Sequence, residues 1–154
     1  MERSLIILKP DAVQRGLIGP ILGRLEARGL KIIGMKLMRI DDALARKHYA
    51  EHDGKGFFPG LVEYIKSGPV VVLVIAGENA IQMIRNTVGA TNPLNAVPGT
   101  IRGDLAVSIG RNLIHASDKP ETGEYELSNF FSEDELLQNF DRATDPWIFE
   151  QPRR

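Results

Sequence analysis

The sequence predicts one α+β domain, residues 1–154, with a split βαβ, ferredoxin-like topology. Two observations lead to this prediction. A chain of 154 residues that is 43% hydrophobic and 25% charged matches one ordinary globular domain with its own core. Apolar runs of strand length also alternate with helical patterns, in the order strand–helix–strand, helices, strand–helix–strand. We expect four antiparallel strands covered by helices, which pack mainly on one face.

The first elements are predicted from apolar runs and from the residues that end them. Residues 4–8 are an apolar run ended by Lys9-Pro10, which predicts a buried strand. Asp11 can cap a short helical turn. Gly19-Pro20 then begins a helix, because proline is favoured at the first helical position, and Gly29 ends it.

The middle of the chain alternates strands and helices. Residues 30–40 are β-rich and apolar on both faces, whereas residues 70–76 are an unbroken apolar run that predicts the central strand. Three helices are predicted here. The first is capped by Asp41 or Asp42 and runs to about His52. The second follows Phe57 and ends at Gly68-Pro69, and the third covers residues 79–88 and ends at Gly89.

The last third is less regular. Residues 90–104 lack periodicity, so we expect a long loop, and loops of that length usually carry function. The apolar run 105–109 predicts the fourth strand, and residues 119–128 are rich in charge and turn formers. A capping box at residues 132–135 predicts a last helix to about Phe140. The apolar tail at residues 145–150 has no predicted element and must pack on this subunit or on another.

Composition narrows the classes of function. A net charge of −1 gives no field that attracts nucleic acid, so nucleic acid is not expected as the main partner. The chain has no cysteine, which excludes disulfides and thiolate chemistry. No apolar run approaches the length of a membrane span, and the first residues are too short for a signal peptide. We therefore expect a cytoplasmic protein.

His115 is the first candidate for chemistry, because it lies just after the predicted fourth strand among Asn112, Ser117 and Asp118. It could be a nucleophile, an acid–base, a metal ligand or a half-buried histidine with a structural hydrogen bond. His48 and His52 are one helical turn apart, but the His-Glu-x-x-His pattern of zinc proteases is absent. We expect that pair to lie on a partly exposed helix face.

Three cations lie at or between predicted elements: Lys9 after the first strand, Arg85 on a helix and Arg102 in the long loop. Each alone is typical of a solvated surface charge. Together with the polar side chains of Thr91 and Asn112 they would suit a polyphosphate, since arginine gives bidentate contacts and lysine a point charge. No Walker loop and no dinucleotide fingerprint is present. From the residues alone the prediction is a phosphate site near a histidine.

Four motifs resemble one known family. Residues 112–118 (NLIHASD) are similar to the active-site signature N-x-x-H-[GA]-S-D of nucleoside diphosphate kinases. Residues 8–13 (LKPDAV), 91–93 (TNP) and 98–104 (PGTIRGD) resemble other blocks of that family, in the right order. The similarity covers the whole chain, including Trp147.

The resemblance implies transfer of the γ-phosphate of a nucleoside triphosphate, mainly ATP, to nucleoside diphosphates, which maintains NTP and dNTP pools. His115 would carry the phosphoryl group on Nδ1 in a ping-pong reaction, with Glu126 accepting from the other ring nitrogen. The phosphate and sugar contacts implied are Lys9, Arg85, Thr91, Arg102 and Asn112, with Tyr49 near the phosphates. Phe57 would stack on the base and Ile109 would lie on its other side.

The family also implies a metal ion and an assembly. Mg²⁺ would be bound by the nucleotide phosphates, with Asp118 reaching it at most through water, so no site built by protein ligands alone is expected. A homo-oligomer is implied, and a chain that continues past Trp147 favours a hexamer over a tetramer.

Two alternatives stay open. One is a catalytically silent nucleotide-binding regulatory module on the same fold, which would keep Phe57 and the cations without needing His115 as a nucleophile. The other is an RNA-binding protein, which would need exposed aromatic residues on the sheet and a basic face. The aliphatic strands and the net charge argue against it.

Overall fold

The computed structural model describes residues 1–150 and contains one four-stranded antiparallel sheet in the order β2-β3-β1-β4. The strands are β1 (Glu2–Leu8), β2 (Lys31–Met38), β3 (Val70–Gly77) and β4 (Ile114–Ala116). This order confirms the predicted fold class, with β1 and β3 as the two central strands.

Eight α-helices and three short 3₁₀ segments connect and cover the strands in the described part of the chain. The helices are α1 (Pro10–Gln14), α2 (Ile18–Ala27), α3 (Asp42–His48), α4 (Phe58–Lys66), α5 (Ala80–Val88), α6 (Ile101–Leu105), α7 (Pro120–Phe130) and α8 (Asp145–Ile148). The 3₁₀ segments are Ala50–His52, Pro93–Asn95 and Glu133–Glu135. None of the described helices is both long and apolar enough to cross a bilayer.

Helices cover both faces of the sheet, which corrects the expectation that they pack mainly on one. Leu5 and Ile7 of β1 belong to a core formed with α3, α4 and α7. Ile6 and Leu8 belong to a second core formed with α2, α5 and α6. Successive side chains of a strand point to opposite faces, so an unbroken apolar run at the centre of a sheet needs a cover on each side.

The fourth strand is not where the sequence predicted it. Residues 101–105 form α6, whose N-cap Thr100 accepts a hydrogen bond from the Gly103 amide, and Val107 and Ile109 are exposed. The strand that completes the sheet is β4, in which His115 pairs with Ile7 of β1. The apolar run 105–109 is therefore not a strand: Leu105 and Ala106 pack at the end of α6, whereas Val107 and Ile109 face solvent in this subunit.

Helix α7 was not predicted from its charged sequence. Its buried face consists of Gly123, Glu126, Leu127 and Phe130, so a glycine and a carboxylate interrupt the apolar stripe. A Cβ added to Gly123 would lie 2.2 Å from the carbonyl oxygen of Arg3. Only glycine allows this helix to approach β1 so closely, and that approach brings Glu126 to the sheet.

Several boundaries also differ from the predictions. The capping box at Ser132 is present, but it opens a 3₁₀ turn and not a helix to Phe140. The helix capped by Asp41 ends at His48, and residues 90–104 contain a 3₁₀ turn and the start of α6.

The tail forms α8, in which Trp147 is 89% exposed and so does not pack on this subunit. The predicted domain extends to residue 154, and residues 151–154 lie outside the described chain.

Candidate active site

A cavity of about 420 Å³ opens beside β4. It brings together eight residues singled out from the sequence: Lys9, Arg85, Thr91, Arg102, Asn112, His115, Asp118 and Glu126. These residues are far apart in the chain and come from the end of β1, from α5, α6, α7 and β4, and from the loops between them. The convergence of three cations and a histidine in one cavity makes an anion the natural ligand.

The orientation of His115 follows from strand geometry. Ile114 and Ala116 belong to the core of one sheet face, so the side chain between them points to the other face, towards α3 and α7. Its Nε2 lies 3.1 Å from Oε1 and 3.0 Å from Oε2 of Glu126. Among the described residues Nδ1 makes no hydrogen bond, so this nitrogen keeps a lone pair for chemistry when Nε2 carries the proton.

Glu126 is held as a charged acceptor. Besides His115 it accepts a 2.6 Å hydrogen bond from the Ser117 hydroxyl, which also contacts the backbone of Leu5 on β1. Burial raises the pKa of the Glu126 carboxyl, but the hydrogen bond and charge of His115, together with the hydrogen bond from Ser117, outweigh burial, and the pKa lies below its usual value. The carboxylate therefore stays ionised at neutral pH and fixes the imidazole tautomer.

His48 lies behind this pair, which corrects the expectation of a partly exposed histidine. Its side chain is 2% exposed, and its ring meets that of His115 edge to face with centroids 4.7 Å apart. Its Nδ1 has no hydrogen-bond partner among the described residues and lies 3.9 Å from Glu126 Oε2. Burial, followed by the charge of His115, lowers the pKa of His48 to about 3, so the ring is neutral.

Arg102 is fixed by backbone carbonyls. Its guanidinium donates to the carbonyl oxygens of Asn112, Gly89 and Ile114, and it is almost fully buried. Burial, followed by the charge of Arg85, lowers the pKa of Arg102 to about 10, which leaves it charged at pH 7. Three of its five N–H groups are used, so two can still meet an anion in the cavity.

Lys9 and Asn112 form the floor of the cavity. The Lys9 ammonium donates a 2.9 Å hydrogen bond to Asn112 Oδ1, and Asn112 Nδ2 donates to the Thr91 carbonyl. Burial, followed by the charge of Arg102, lowers the pKa of Lys9 to about 8. Arg85 reaches the same cavity and donates to the carbonyl of Ala116 on β4 at 3.3 Å.

Leu113, which follows Asn112 in the chain, has a left-handed backbone conformation. Leu113 is fully buried with φ of 74°, a conformation that is unfavourable for a side chain of this size. Its N–H donates to the Asp11 carboxylate at 3.1 Å, and its carbonyl accepts from the Lys9 N–H at 2.8 Å. The Tyr64 hydroxyl donates to the same carboxylate, which ties α4 to this turn.

Three predicted residues do not line the cavity. Tyr49 is half-buried beside His48, and burial raises the pKa of its hydroxyl to about 12. Phe57 is 54% exposed, with its ring 5.3 Å from the ring of His52, and Ile109 is 59% exposed on its loop.

The structure adds cavity residues that sequence reasoning missed: Glu51, Lys119 and Thr122. Glu51 lies in the 3₁₀ segment after α3 and Thr122 lies in α7, both outside the four motifs. His48 does not line the cavity but lies behind it, and its burial had a sequence signal, because it follows the buried Ala45 at helical spacing, which predicts a place on the same buried face.

The donor atoms show what kind of metal site the described residues can offer. His48, His115 and Glu126 place one donor atom each within 4.8 Å of one another. Mg²⁺ prefers oxygen donors, so this nitrogen-rich set does not suit it. Asp118, an exposed carboxylate on the cavity wall, does suit an ion that is held mainly by a ligand's phosphates.

Comparisons with known proteins point to one family. The family model described as nucleoside diphosphate kinase matches residues 2–136. A nucleoside diphosphate kinase of a Roseiflexus species is 68% identical over 150 residues, which cover 97% of this chain and all of that protein. One from Archaeoglobus fulgidus is 54% identical over 151 residues, which cover 98% of this chain and 99% of that protein.

Two solved structures have the same fold. The nucleoside diphosphate kinase of Halobacterium salinarum in complex with CDP has a TM-score of 0.92 and 50% identity, and the match covers 96% of this chain and 98% of that one. A family member from Babesia bovis has a TM-score of 0.93 and 42% identity, with 97% of this chain and all of that one covered. This chain belongs to the nucleoside diphosphate kinase family.

Proposed function

We propose that this enzyme transfers the γ-phosphate of a nucleoside triphosphate, mainly ATP, to a nucleoside diphosphate through a phosphohistidine on Nδ1 of His115. The observation that carries the proposal is the pairing of His115 Nε2 with Glu126, which leaves Nδ1 free beside three cations in one cavity. A family whose members are transferases of this type supports the reaction class.

In the first half-reaction one bond forms and one bond breaks. The Nδ1 lone pair attacks the γ-phosphorus, and the oxygen that bridges the β- and γ-phosphates leaves with the bonding electrons on the nucleoside diphosphate. The imidazole keeps its proton on Nε2, which donates to Glu126, and the negative charge of that carboxylate stabilises the positive charge that develops on the ring. A second nucleoside diphosphate then attacks the phosphohistidine by the reverse path, which gives ping-pong kinetics.

The cations stabilise the transferring group. Arg102 is held by three carbonyls, so its two free N–H groups are oriented before the substrate arrives. Arg85 and Lys9 add charge from other walls of the cavity. Lys9 and Asn112, which already hydrogen-bond to each other, are proposed to meet the ribose hydroxyl, and Thr91 a phosphate.

The base is proposed to stack on Phe57, with Ile109 on its other side and Tyr49 near the phosphates. Both Phe57 and Ile109 are exposed, so their apolar surface is available to a ligand. Stacking without hydrogen bonds to base edges would accept every base, since each offers a π-face. Broad specificity among nucleotides follows.

Members of this family require a divalent metal ion. We propose Mg²⁺, held by the nucleotide phosphates, with Asp118 contacting it through water; when bound, the ion neutralises phosphate charge. The protein's own contribution is the exposed carboxylate of Asp118 on the cavity wall.

We also propose that the chain forms a homo-oligomer, with a hexamer favoured over a tetramer, and that it acts in the cytoplasm. Large apolar side chains are exposed on the described subunit: Leu94, Val97, Val107 and Trp147. Exposed apolar surface of this kind is typical of subunit contacts. Sedimentation equilibrium would give the number of subunits, and cell fractionation would test the location.

The decisive experiment is to mix the protein with ATP and Mg²⁺ and locate phosphate by mass spectrometry. We expect acid-labile, base-stable phosphate on His115, and none in His115→Ala, which should still fold and bind nucleotide. His52→Ala, which changes a histidine outside the cavity, is the matched control and should still be phosphorylated on His115.

Two outcomes would count against the proposal. Wild-type protein that binds nucleotide but acquires no phosphohistidine would support the silent regulatory module. His115→Ala protein with a tenth or more of wild-type turnover would contradict a covalent intermediate on this residue.

A further inference from the structure

Lys9 differs from the other lysines of the described chain in where its amine lies. It is the N-cap residue of α1, directly after β1, and is half-buried at the cavity floor. Its amine donates to Asn112 and shares the cavity with Arg85 and Arg102. By contrast Lys119 lines the same cavity but is exposed on its rim.

The surroundings make the Lys9 amine nucleophilic. Burial and the neighbouring Arg102 lower the pKa of Lys9 to about 8, while Asp11 opposes this in part. At pH 7 roughly a tenth of such amines carry a free lone pair, against fewer than about one in a thousand for an ordinary lysine. A lysine next to another cation in a partly desolvated site is a recognised way to activate an amine.

The same cavity binds phosphate groups if the proposed function is right, and the inference rests on that. Arg102 keeps two N–H groups free and Arg85 adds a second guanidinium, which suits a phosphate monoester or anhydride of small size. A small molecule that carries phosphate next to an electrophilic carbon would therefore be concentrated beside the Lys9 amine.

We propose that Lys9 is a modification site for acyl phosphates, which the two arginines bind by the phosphate group and which acylate the Lys9 amine. The nitrogen lone pair attacks the carbonyl carbon, and an amide bond forms. The bond between that carbon and the bridging oxygen breaks, and the electrons leave with inorganic phosphate. The proton lost by the amine goes to the released phosphate, and nothing is oxidised or reduced.

Acylation would switch the enzyme off. An amide nitrogen has no positive charge, so the cavity loses one of its cations and the donor proposed for the ribose hydroxyl. The added acyl group also fills space at the cavity floor. Bound nucleotide covers Lys9, so the modification is expected when nucleotide is scarce and acyl phosphate is abundant.

The test uses acetyl phosphate and the full-length wild-type protein at pH 7.5, with acetylation of each lysine followed over time by mass spectrometry. We expect Lys9 to be acetylated about tenfold faster than Lys119, and saturating ADP to protect Lys9 but not the exposed Lys47. An N-hydroxysuccinimide ester of acetate, which lacks phosphate, should show a smaller preference for Lys9. Acetylation of Lys9 that is no faster than that of Lys119, or that ADP does not slow, would overturn the proposal.

Two variants separate this proposal from the proposed kinase reaction. In His115→Ala the competing attack of an imidazole on phosphorus is removed, and Lys9 should still be acetylated. Lys47→Arg, which changes an exposed lysine outside the cavity, is the matched control and should leave the rate at Lys9 unchanged. Absence of acetyl-Lys9 in both wild type and His115→Ala refutes the acylation proposal alone, whereas absence of phosphohistidine in ATP-treated wild type refutes the kinase mechanism alone.

Discussion

Replacing His48 with phenylalanine should flatten the dependence of folding stability on pH. His48 lies against His115, Tyr49 and Phe130, and its side chain is 2% exposed. Phenylalanine keeps an aromatic ring of similar size at these contacts but cannot take up a proton. The variant therefore isolates the cost of charging a buried imidazole.

The magnitude follows from two pKa values. Burial and the charge of His115 lower the pKa of His48 to about 3 in the folded state, against about 6.5 in an unfolded chain. Between these values the unfolded chain binds more protons, so the free energy of unfolding falls as pH falls. From pH 7 to pH 5 the loss amounts to about 2 kcal/mol, and a folded-state pKa of about 4 would give nearly the same result.

The assay is urea unfolding at pH 5, 6 and 7, at one fixed subunit concentration because association between subunits adds to apparent stability. The difference in unfolding free energy between wild type and His48→Phe should shift by about 2 kcal/mol over this range. The pKa of Glu126 lies below its usual value, so that carboxylate stays charged throughout. His52→Phe replaces a more exposed histidine and should keep the wild-type slope.

Equal slopes for wild type and His48→Phe would refute this reasoning. They would mean that His48 stays accessible to protons in the folded protein, for example by hydrogen bonding to Glu126 across the 3.9 Å gap. If His52→Phe, and not His48→Phe, lost the pH dependence of the unfolding free energy, the titrating group would be His52.

Three other changes test other parts of the site. Phe57→Ala should weaken binding of purine and pyrimidine nucleotides alike by about 1–3 kcal/mol in titration calorimetry, and a loss confined to one class would contradict pure stacking. Nucleotide affinity should fall as pH rises through 8, because the pKa of Lys9 is lowered to about 8 and its amine then loses charge; constant affinity from pH 7 to 9 would contradict this. Tyr64→Phe removes a hydrogen bond to Asp11, so urea unfolding should show a loss of about 1.5 kcal/mol, and unchanged stability would mean that this bond does not hold Leu113.

Parts of the fold could be predicted because their signals are local. The runs that became β1 and β3 are apolar without interruption, and the caps at Asp41 and Ser132 depend on residues three positions away. The prediction of a strand at residues 105–109 was wrong because hydrophobicity does not show which part of the protein will cover a side chain. Val107 and Ile109 are exposed in this subunit, so their apolar character does not report a buried strand.

The candidate site was predictable as a set of residues but not as a geometry. The motifs contain half of the residues that line the cavity, yet only the fold shows that Lys9 and Asn112 hydrogen-bond across the chain. Helix α7 was missed because its buried face includes Gly123 and Glu126, which look like surface residues. Both residues make tertiary contacts: Gly123 permits a close approach of α7 to β1, and Glu126 pairs with His115.

Strand β4 is the common reference for the whole site. The carbonyl oxygens of Asn112 and Ile114, just before and within β4, hold Arg102, and that of Ala116 holds Arg85. The side chain of His115 leaves the same strand on the opposite side from its two neighbours. The nucleophile and the two arginines are thus positioned by successive peptide units of one short segment. Their relative geometry is tied to that backbone, and this explains how a contiguous signature of seven residues can define a site assembled from the whole chain.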